Sequence, residues 1–130
     1  MVAKVLSVLL VDDNKDTRDM LELLFEEWGY SATLVSTATE GLKHLLARSF
    51  DIIILDNWLP DLDGVELCRQ IREFNRSTPI IFFSAATMGS EDRAAMAAGA
   101  NAYLYKGSGL GGLREAMAVE IKKANPRPRD

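Results

Sequence analysis

This sequence of 130 residues has one cysteine, no long apolar segment and no excess of basic residues. The single cysteine, Cys68, has no partner for an internal disulfide, which fits a reducing compartment. No apolar segment approaches the roughly 18 residues that cross a bilayer, and two carboxylates follow the apolar start of the chain where a signal peptide has its cleavage site. The net charge is -4, whereas nucleic-acid-binding surfaces are strongly basic. We therefore expect a cytoplasmic domain with no membrane segment and no direct contact with nucleic acid.

The composition that remains is that of an ordinary globular domain. Hydrophobic residues make up 48% of the chain and charged residues 26%, as in proteins that fold around one core. A length of 130 residues suits one domain. Because the closing segment NPRPRD is polar and rich in proline, we predict one domain over residues 1–124 and a flexible tail over residues 125–130.

Short apolar runs alternate along the chain with longer segments of helical periodicity. The runs cover residues 5–11, 32–36, 51–55, 79–84 and 102–105. Two of them, IIIL and IIFF, do not alternate with polar residues, so both faces of their sheet should be covered, as in a parallel sheet flanked by helices. The five repeats of strand and helix predict an α/β fold with a doubly wound, five-stranded parallel sheet and five helices.

The periodic segments also predict which helical side chains face the core. A capping-box pattern at Thr37 and Glu40 marks the start of the second helix, and His44 falls on its solvent face. The inward residues are predicted to be Met20, Leu21, Leu24, Phe25 and Trp28 in the first helix, Ala38, Leu42, Leu45 and Leu46 in the second, Leu67, Ile71 and Phe74 in the third, and Leu110, Leu113, Met117 and Ile121 in the fifth.

Polar side chains stand at the carboxyl ends of four of the five strands. Asp12 and Asp13 follow the first strand, Asp56 the third, Ser84 ends the fourth, and Lys106 follows the fifth. Parallel strands bring these ends to one edge of the sheet, where doubly wound proteins bind ligands. Three carboxylates that lie together repel one another unless a cation separates them. Since the ligands are all oxygens, with no histidine or cysteine nearby, we expect Mg²⁺, or a similar ion such as Mn²⁺, and not zinc.

The same edge carries groups suited to phosphoryl transfer. The Lys106 ammonium can neutralise phosphoryl oxygens, and the Ser84 hydroxyl can donate to them. Asp56 follows the central strand and is the best-placed carboxylate to accept a phosphoryl group, while Asp12 and Asp13 would hold the metal. Any one of these residues alone is commonly a turn or surface residue, but their joint occurrence at four strand ends favours a functional site.

Four motifs resemble the receiver domain of response regulators in two-component signalling, including the single-domain chemotaxis type. They are LLVDDN after the first strand, DNWLPDLDG after the third, SA after the fourth and AGANAYLYK through the fifth. The resemblance covers about residues 4–124. It implies a flavodoxin-like fold with strand order 2-1-3-4-5.

The resemblance also implies roles around the acceptor. Asp56 would be phosphorylated from the phosphohistidine of a sensor histidine kinase or phosphotransfer protein. Asp12 and Asp13 would form the acidic metal pocket, with Asp13 the direct ligand, and the backbone carbonyl of Trp58 would complete the protein ligands together with Asp56.

A switch is implied as well. Ser84 and Lys106 would hold the phosphoryl oxygens, and Tyr103 matches the family's switch aromatic. As Ser84 moves toward the phosphoryl group, Tyr103 would turn inward and reshape the face formed by the fourth helix, fifth strand and fifth helix. A downstream protein would bind there. The expected function is a phosphorylation-dependent signalling switch that catalyses its own phosphorylation and dephosphorylation and has no small-molecule substrate.

Two residues depart from the family pattern. Gly107 stands where the family usually has a proline after the lysine, in the segment KGSGLGG of residues 106–112. A cis peptide bond to glycine is costly, so we expect a trans Lys106–Gly107 bond, a looser loop, and inefficient or unusually regulated activation. Trp58 should lie at the mouth of the pocket, where its ring could slow attack by water and so tune the phosphoryl lifetime.

Two alternatives remain open. An enzyme with an aspartyl-phosphate intermediate, such as a phosphatase, would use the same residues, but 130 residues leave no room for a substrate-recognition cap. A binding module that works without phosphorylation would share the fold, but it would not need the full set of acidic, hydroxyl and ammonium groups. Phosphorylation of the protein on Asp56 distinguishes these alternatives.

Overall fold

Strands and helices alternate along the chain in a computed structural model that describes residues 4–85 and 90–125. The strands are β1 (Ser7–Val11), β2 (Ser31–Val35), β3 (Ile52–Leu55), β4 (Ile80–Ser84) and β5 (Ala102–Tyr105). The helices are α1 (Lys15–Glu27), α2 (Ala38–Ala47), α3 (Gly64–Phe74), α4 (Ser90–Ala98) and α5 (Leu110–Ala124), with a short 3₁₀ turn at Lys106–Ser108 before α5. Residues 126–130 of the predicted tail lie outside the described residues.

The five strands form one parallel sheet in the order β2-β1-β3-β4-β5. This confirms the predicted doubly wound α/β fold with strand order 2-1-3-4-5. The last residues of β1 and β3 are in register, since Val11 pairs with Leu55. The winding direction reverses between these two strands, and ligands of such sheets bind beyond the strand ends at this position. Asp12 and Asp56, the residues that follow Val11 and Leu55, are therefore neighbours at the switch point.

Helices cover both faces of the sheet, as the unbroken apolar strands predict. On one face α2, α3 and α4 pack on the strands, and the side chains of β3 and β4 are buried along their whole length. On the other face α1 and α5 bury Leu21, Phe25, Leu113, Met117 and Ile121. The predicted inner faces of α1 and α5 are thus largely confirmed, and Cys68 is fully buried on α3.

Three of the predicted core residues are wrong. Leu46 is 71% exposed, Phe74 45% and Met20 40%. Leu46 and Phe74 lie in the last turns of α2 and α3, and Met20 borders the buried stripe of α1. The helical period places each of them near the buried face, but an apolar stripe does not show how much of its width the sheet covers.

The start of α2 agrees with the predicted capping box. Thr37 is the N-cap, and its hydroxyl accepts a hydrogen bond of 3.2 Å from the backbone N–H of Glu40. The cap satisfies one of the free N–H groups in the first turn. Within residues 4–85 and 90–125, no helix combines the length and apolar character needed to cross a membrane.

Candidate functional site

The backbone of the sheet holds Asp12 and Asp56 in place. The N–H of Asp12 donates to the carbonyl of Val35 at 3.0 Å, and the N–H of Asp56 donates to the carbonyl of Val11 at 2.9 Å. Both residues therefore continue the hydrogen-bond pattern of the strands that precede them. Asp12 is fully buried and Asp56 is 5% exposed, whereas Asp13 points to the surface.

The predicted acidic residues converge. One carboxylate oxygen from each of Asp12, Asp13 and Asp56 can be chosen so that all three lie within 4.8 Å of one another. The Lys106 ammonium lies 2.9 Å from Oδ2 of Asp12 and 3.8 Å from Oδ2 of Asp56. The structure therefore places one cation between two buried carboxylates and leaves the third carboxylate at the solvent side.

Lys106 reaches this position although glycine follows it. The described residues contain no cis peptide bond, as expected for Lys106–Gly107. After β5 the chain enters the 3₁₀ turn Lys106–Ser108, and the N–H of Gly109 donates to the carbonyl of Lys106 at 3.4 Å. The ammonium is thus placed by the end of β5 and this turn, and the looser loop expected from Gly107 stays a prediction.

Burial raises the pKa of Asp56 above its ordinary value, and the nearby Asp12 carboxylate raises it further. Three groups act in the opposite direction and lower this pKa: the Lys106 ammonium, a hydrogen bond with Ser84, and a hydrogen bond from the backbone N–H of Trp58. Since the net shift is upward, the positive charge around Asp56 does not fully offset its burial.

The loop after Asp56 folds back tightly onto it. The N–H of Gly64 donates to the carbonyl of Asn57 at 3.0 Å. A Cβ atom on Gly64 would lie 2.2 Å from the backbone oxygen of Asp56, so only glycine fits there. The Asp63 carboxylate caps α3 by accepting from the N–H of Val65 at 2.7 Å. These contacts fix both ends of the loop beside the pocket.

Trp58 lies in this loop with its side chain largely in solvent. It is 56% exposed and lines a groove of about 390 Å³ together with residues of α3 and the start of α4, among them Arg69 and Glu91. The structure therefore places the ring on the surface in this groove, and its expected position at the mouth of the acidic pocket stays a prediction. The ring belongs to the groove wall and is not part of the core.

Ser84 and Tyr103 lie next to each other near Asp56. Ser84 is fully buried, and its hydroxyl lowers the pKa of Asp56 and that of Tyr103. The Tyr103 ring stacks on Phe82 with 5.5 Å between ring centroids, and its hydroxyl oxygen is buried. Burial is the main cause that raises the pKa of Tyr103. The Tyr103 ring is thus half-buried against Phe82, with its hydroxyl oxygen covered.

The acidic cluster fits a hard divalent cation. Its donors are carboxylate oxygens, which Mg²⁺ and Mn²⁺ prefer. Oδ1 of Asp56 is buried and, among the described residues, no hydrogen bond of ordinary geometry reaches this oxygen atom. A buried carboxylate oxygen without a partner is costly, and a metal ion bound by Asp12, Asp13 and Asp56 would compensate it.

Two residues near the site were not anticipated from the sequence. The Arg18 guanidinium donates to the backbone carbonyl of Asp12 at 2.9 Å, and Asp61 hydrogen-bonds to the start of α2. Asp61 could have been noticed in the sequence, because it lies within the DNWLPDLDG motif. The sequence does not show its hydrogen-bond partners, which are more than 20 residues away. Arg18 follows Asp12 by six residues, and the contact depends on the direction in which α1 leaves the sheet.

The fold and the site define a doubly wound α/β domain with an acidic pocket and a lysine at its switch point. The chain belongs to the family of response regulator receiver domains of two-component systems: the sequence model of that family, described as "Response regulator receiver domain", matches residues 8–118.

Relatives of known sequence agree with this family. The KDP operon transcriptional regulatory protein KdpE of Escherichia coli (strain K12) is 36% identical over 117 residues, which are 90% of this chain and 52% of that protein. Response regulator MprA of Mycobacterium sp. (strain KMS) is 34% identical over 119 residues, 92% of this chain and 52% of that protein. The chain thus spans about half the length of the curated relatives it matches.

Solved structures are similar over nearly their full length. A Francisella response regulator receiver domain has a TM-score of 0.85 at 28% identity, covering 92% of this chain and 98% of that one. The receiver domain of a sensor histidine kinase from Pseudomonas aeruginosa PAO1 has a TM-score of 0.83 at 29% identity, and the match covers 91% of this chain and 98% of that one. That structure is described with a magnesium ion coordinated in its active-site cleft.

Proposed function

We propose that this receiver domain is a cytoplasmic, phosphorylation-dependent signalling switch in which Asp56 accepts the phosphoryl group. The observation that carries the proposal is the position of Asp56: its carboxylate lies within 4.8 Å of those of Asp12 and Asp13 and 3.8 Å from the Lys106 ammonium. The phosphodonor would be the phosphohistidine of a sensor histidine kinase or of a phosphotransfer protein, as the family suggests.

In the transfer step an oxygen of the Asp56 carboxylate attacks phosphorus as the bond between phosphorus and the donor imidazole breaks. The imidazole leaves with the bonding electron pair and takes up a proton from water. The Lys106 ammonium neutralises negative charge on the phosphoryl oxygens, and the Ser84 hydroxyl donates a hydrogen bond to them. Hydrolysis of the acyl phosphate by water returns the domain to its starting state, so the domain would catalyse both its phosphorylation and its dephosphorylation.

Asp12, Asp13, Asp56 and the backbone carbonyl of Trp58 would hold Mg²⁺ or Mn²⁺. The bound ion would supply charge neutralisation between the carboxylates and the incoming phosphoryl oxygens. Among the four ligands, Asp13 is the exposed carboxylate and is best placed to bind the ion directly from the solvent side.

The output would be a change on the face formed by α4, β5 and α5. Tyr103 would be the switch residue, because its ring lies between Ser84 and the surface residues Asp92 and Met96, with which it lines a groove. The neighbouring Tyr105 hydroxyl donates to Asp92 at 3.2 Å and links β5 to α4. A downstream protein, and not nucleic acid, would bind this face, since the chain has a net charge of -4.

Mass spectrometry after incubation with Mg²⁺ and a small acyl phosphate tests the proposal. We expect one added phosphoryl group in the wild-type protein, none in Asp56→Asn, and a normal adduct in Asp51→Asn, which changes a carboxylate at the opposite end of β3. Absence of an adduct in the wild type would point to a phosphorylation-independent binding module. Rapid turnover of many phosphomonoesters would point to a phosphatase.

A further inference from the structure

Asp61 makes a contact that the proposed chemistry does not use. Its carboxylate accepts three hydrogen bonds from the first turn of α2: from the N–H of Ala38 at 2.9 Å, the N–H of Thr39 at 2.9 Å and the hydroxyl of Thr39 at 2.7 Å. Although burial acts to raise its pKa, these hydrogen bonds lower the pKa of Asp61 overall. The contact therefore favours the ionised carboxylate.

This contact adds to a helix start that is already capped. Thr37 is the N-cap of α2 and accepts from the N–H of Glu40. Asp61 takes up two further N–H groups of the first turn, and it comes from a loop 22 and 23 residues away in the sequence. A helix needs partners for these groups, but solvent could supply them. The distinctive result of the contact is that it attaches the loop to the helix.

The helix itself is fixed against the strand that leads into the acidic pocket. A Cβ atom on Gly41 of α2 would lie 2.8 Å from a methyl group of Val11, which shows how closely the helix approaches β1. Asp12 follows Val11 directly. The first turn of α2 is therefore held close to the end of β1, and Asp61 connects the β3–α3 loop to it.

Within that loop, Asp61 is the side-chain anchor to another element. Among the described residues, no other side chain of residues 58–62 has a hydrogen bond to a helix or strand, while Leu59 and Leu62 pack on the core. Trp58, whose carbonyl is a proposed metal ligand, lies in the first part of this loop. Its position depends on what holds the middle of the loop.

We propose that Asp61 is a positioning residue that holds the β3–α3 loop against α2 and thereby sets the affinity of the acidic pocket for Mg²⁺. The proposal rests on the proposed function, because it needs the metal to be bound by the carboxylates and the Trp58 carbonyl. Groups that orient metal ligands without touching the metal change its affinity substantially when they are removed.

An amide NMR titration with Mg²⁺ tests the proposal in four proteins: wild type, Asp61→Asn, Thr39→Val and Asp51→Asn. Thr39→Val removes one donor of the same contact and keeps the net charge. Asp51→Asn removes a similar carboxylate, which accepts from Ser7 at 2.8 Å and 3.2 Å at the far end of β3. It therefore controls for the loss of one charge and for general destabilisation.

We expect the dissociation constant for Mg²⁺ to rise about tenfold in Asp61→Asn, the lower end of the range for groups that support metal ligands. It should rise about threefold in Thr39→Val, in keeping with the loss of one hydrogen bond, and stay unchanged in Asp51→Asn. In the metal-free protein, the amides of Ala38 and Thr39 should exchange faster in Asp61→Asn.

Four results would overturn the proposal. Unchanged affinity in both Asp61→Asn and Thr39→Val would show that the contact does not act on the site. Weaker Mg²⁺ binding in Asp61→Asn but not in Thr39→Val would show an effect of charge and not of position. An equal loss of Mg²⁺ affinity in Asp51→Asn would show general destabilisation. If the wild-type protein itself does not bind Mg²⁺ at the pocket, the proposed function fails, and the role of Asp61 toward the metal fails with it.

Discussion

At the scale of single residues, Asp56 is the most unusual side chain of the fold. It follows a strand whose four residues are all buried and lies beside a second buried carboxylate, Asp12. Burial and that neighbour together raise its pKa from the ordinary 3.8. An ionised carboxylate in this position destabilises the metal-free protein. The same position would allow the carboxylate to bind a cation or a phosphoryl group.

The raised pKa of Asp56 predicts how the stability of the protein depends on pH. Because the folded pKa of Asp56 is raised, the native state holds its proton more tightly than the unfolded chain does. The contribution of Asp56 to stability therefore falls as pH rises from about 3.8 through the raised pKa. Without Mg²⁺, Asp56→Asn should melt several degrees above wild type at neutral pH, and the difference should shrink as the pH is lowered through that range.

Thermal denaturation followed by circular dichroism measures this difference. Asp51→Asn serves as the control, because its carboxylate is hydrogen-bonded by Ser7 and its replacement should lower the melting temperature. A melting temperature of Asp56→Asn below that of wild type at neutral pH would show that Lys106 compensates Asp56 more strongly than its burial penalises it.

Trp58 gives a second prediction at this scale. Its ring is exposed and follows Asp56 by two residues, where we expect it to limit the approach of water to the proposed acyl phosphate. Trp58→Ser should dephosphorylate several-fold faster than wild type, whereas Trp58→Phe, which keeps a ring, should change the rate less. The decay of the phosphorylated form by mass spectrometry gives both rates. Equal rates for all three proteins would remove any role of the ring in phosphoryl lifetime.

At the scale of elements, α2 shows how sharply burial changes between adjacent residues. Leu45 is 8% exposed and belongs to the core beneath the sheet, whereas Leu46 is 71% exposed. Leu46 instead lines a surface groove with Phe74 of α3. These two side chains, both predicted to be inward, line the same groove at the last turns of their helices.

The two leucines should therefore respond differently to the same substitution. Leu45→Ala should lower the free energy of unfolding by about 2–4 kcal/mol, because it leaves a cavity in the core. Leu46→Ala should change it by no more than about 0.5 kcal/mol, as is usual for surface positions. Urea denaturation measures both values. A loss of stability in Leu46→Ala comparable to that in Leu45→Ala would mean that this side chain is covered in solution.

At the scale of the whole molecule, the pocket links β1, β3 and β5 through ionic contacts. Lys106 follows β5 and contacts the carboxylates that follow β1 and β3. A cation bound among Asp12, Asp13 and Asp56 would extend this link. Since the unfolded chain does not hold these groups together, metal binding should favour the folded state.

Mg²⁺ should therefore raise the stability of the domain. At a concentration of one hundred times the dissociation constant, binding should add about 2.7 kcal/mol to the free energy of unfolding. Thermal denaturation over a Mg²⁺ series measures this gain. Asp13→Asn, at an exposed position, should fold normally and lose most of the gain, and Asp51→Asn should keep it. A stabilisation of the same size in Asp13→Asn would place the ion elsewhere.

The strands and helices and their order can be predicted from local sequence patterns. Short apolar runs predict strands and the helical periodicity between them predicts helices, and the structure has five strands and five helices in the predicted order. The sequence also places five polar residues at strand ends, because each of them directly follows or ends an apolar run: Asp12, Asp13, Asp56, Ser84 and Lys106. Parallel strands then bring such residues to one edge for purely geometric reasons. Their roles in phosphoryl transfer stay predictions.

Contacts between residues that are distant in the sequence could not be predicted in this way. The attachment of Asp61 to α2 and the exposure of Leu46 and Phe74 depend on how the helices lie across the sheet. The position of Lys106 between two carboxylates depends on the turn after β5, for which Gly107 suggested a looser loop. Local sequence fixes backbone preference and the side of an element that is apolar, but the distance between elements is set by packing of the whole core.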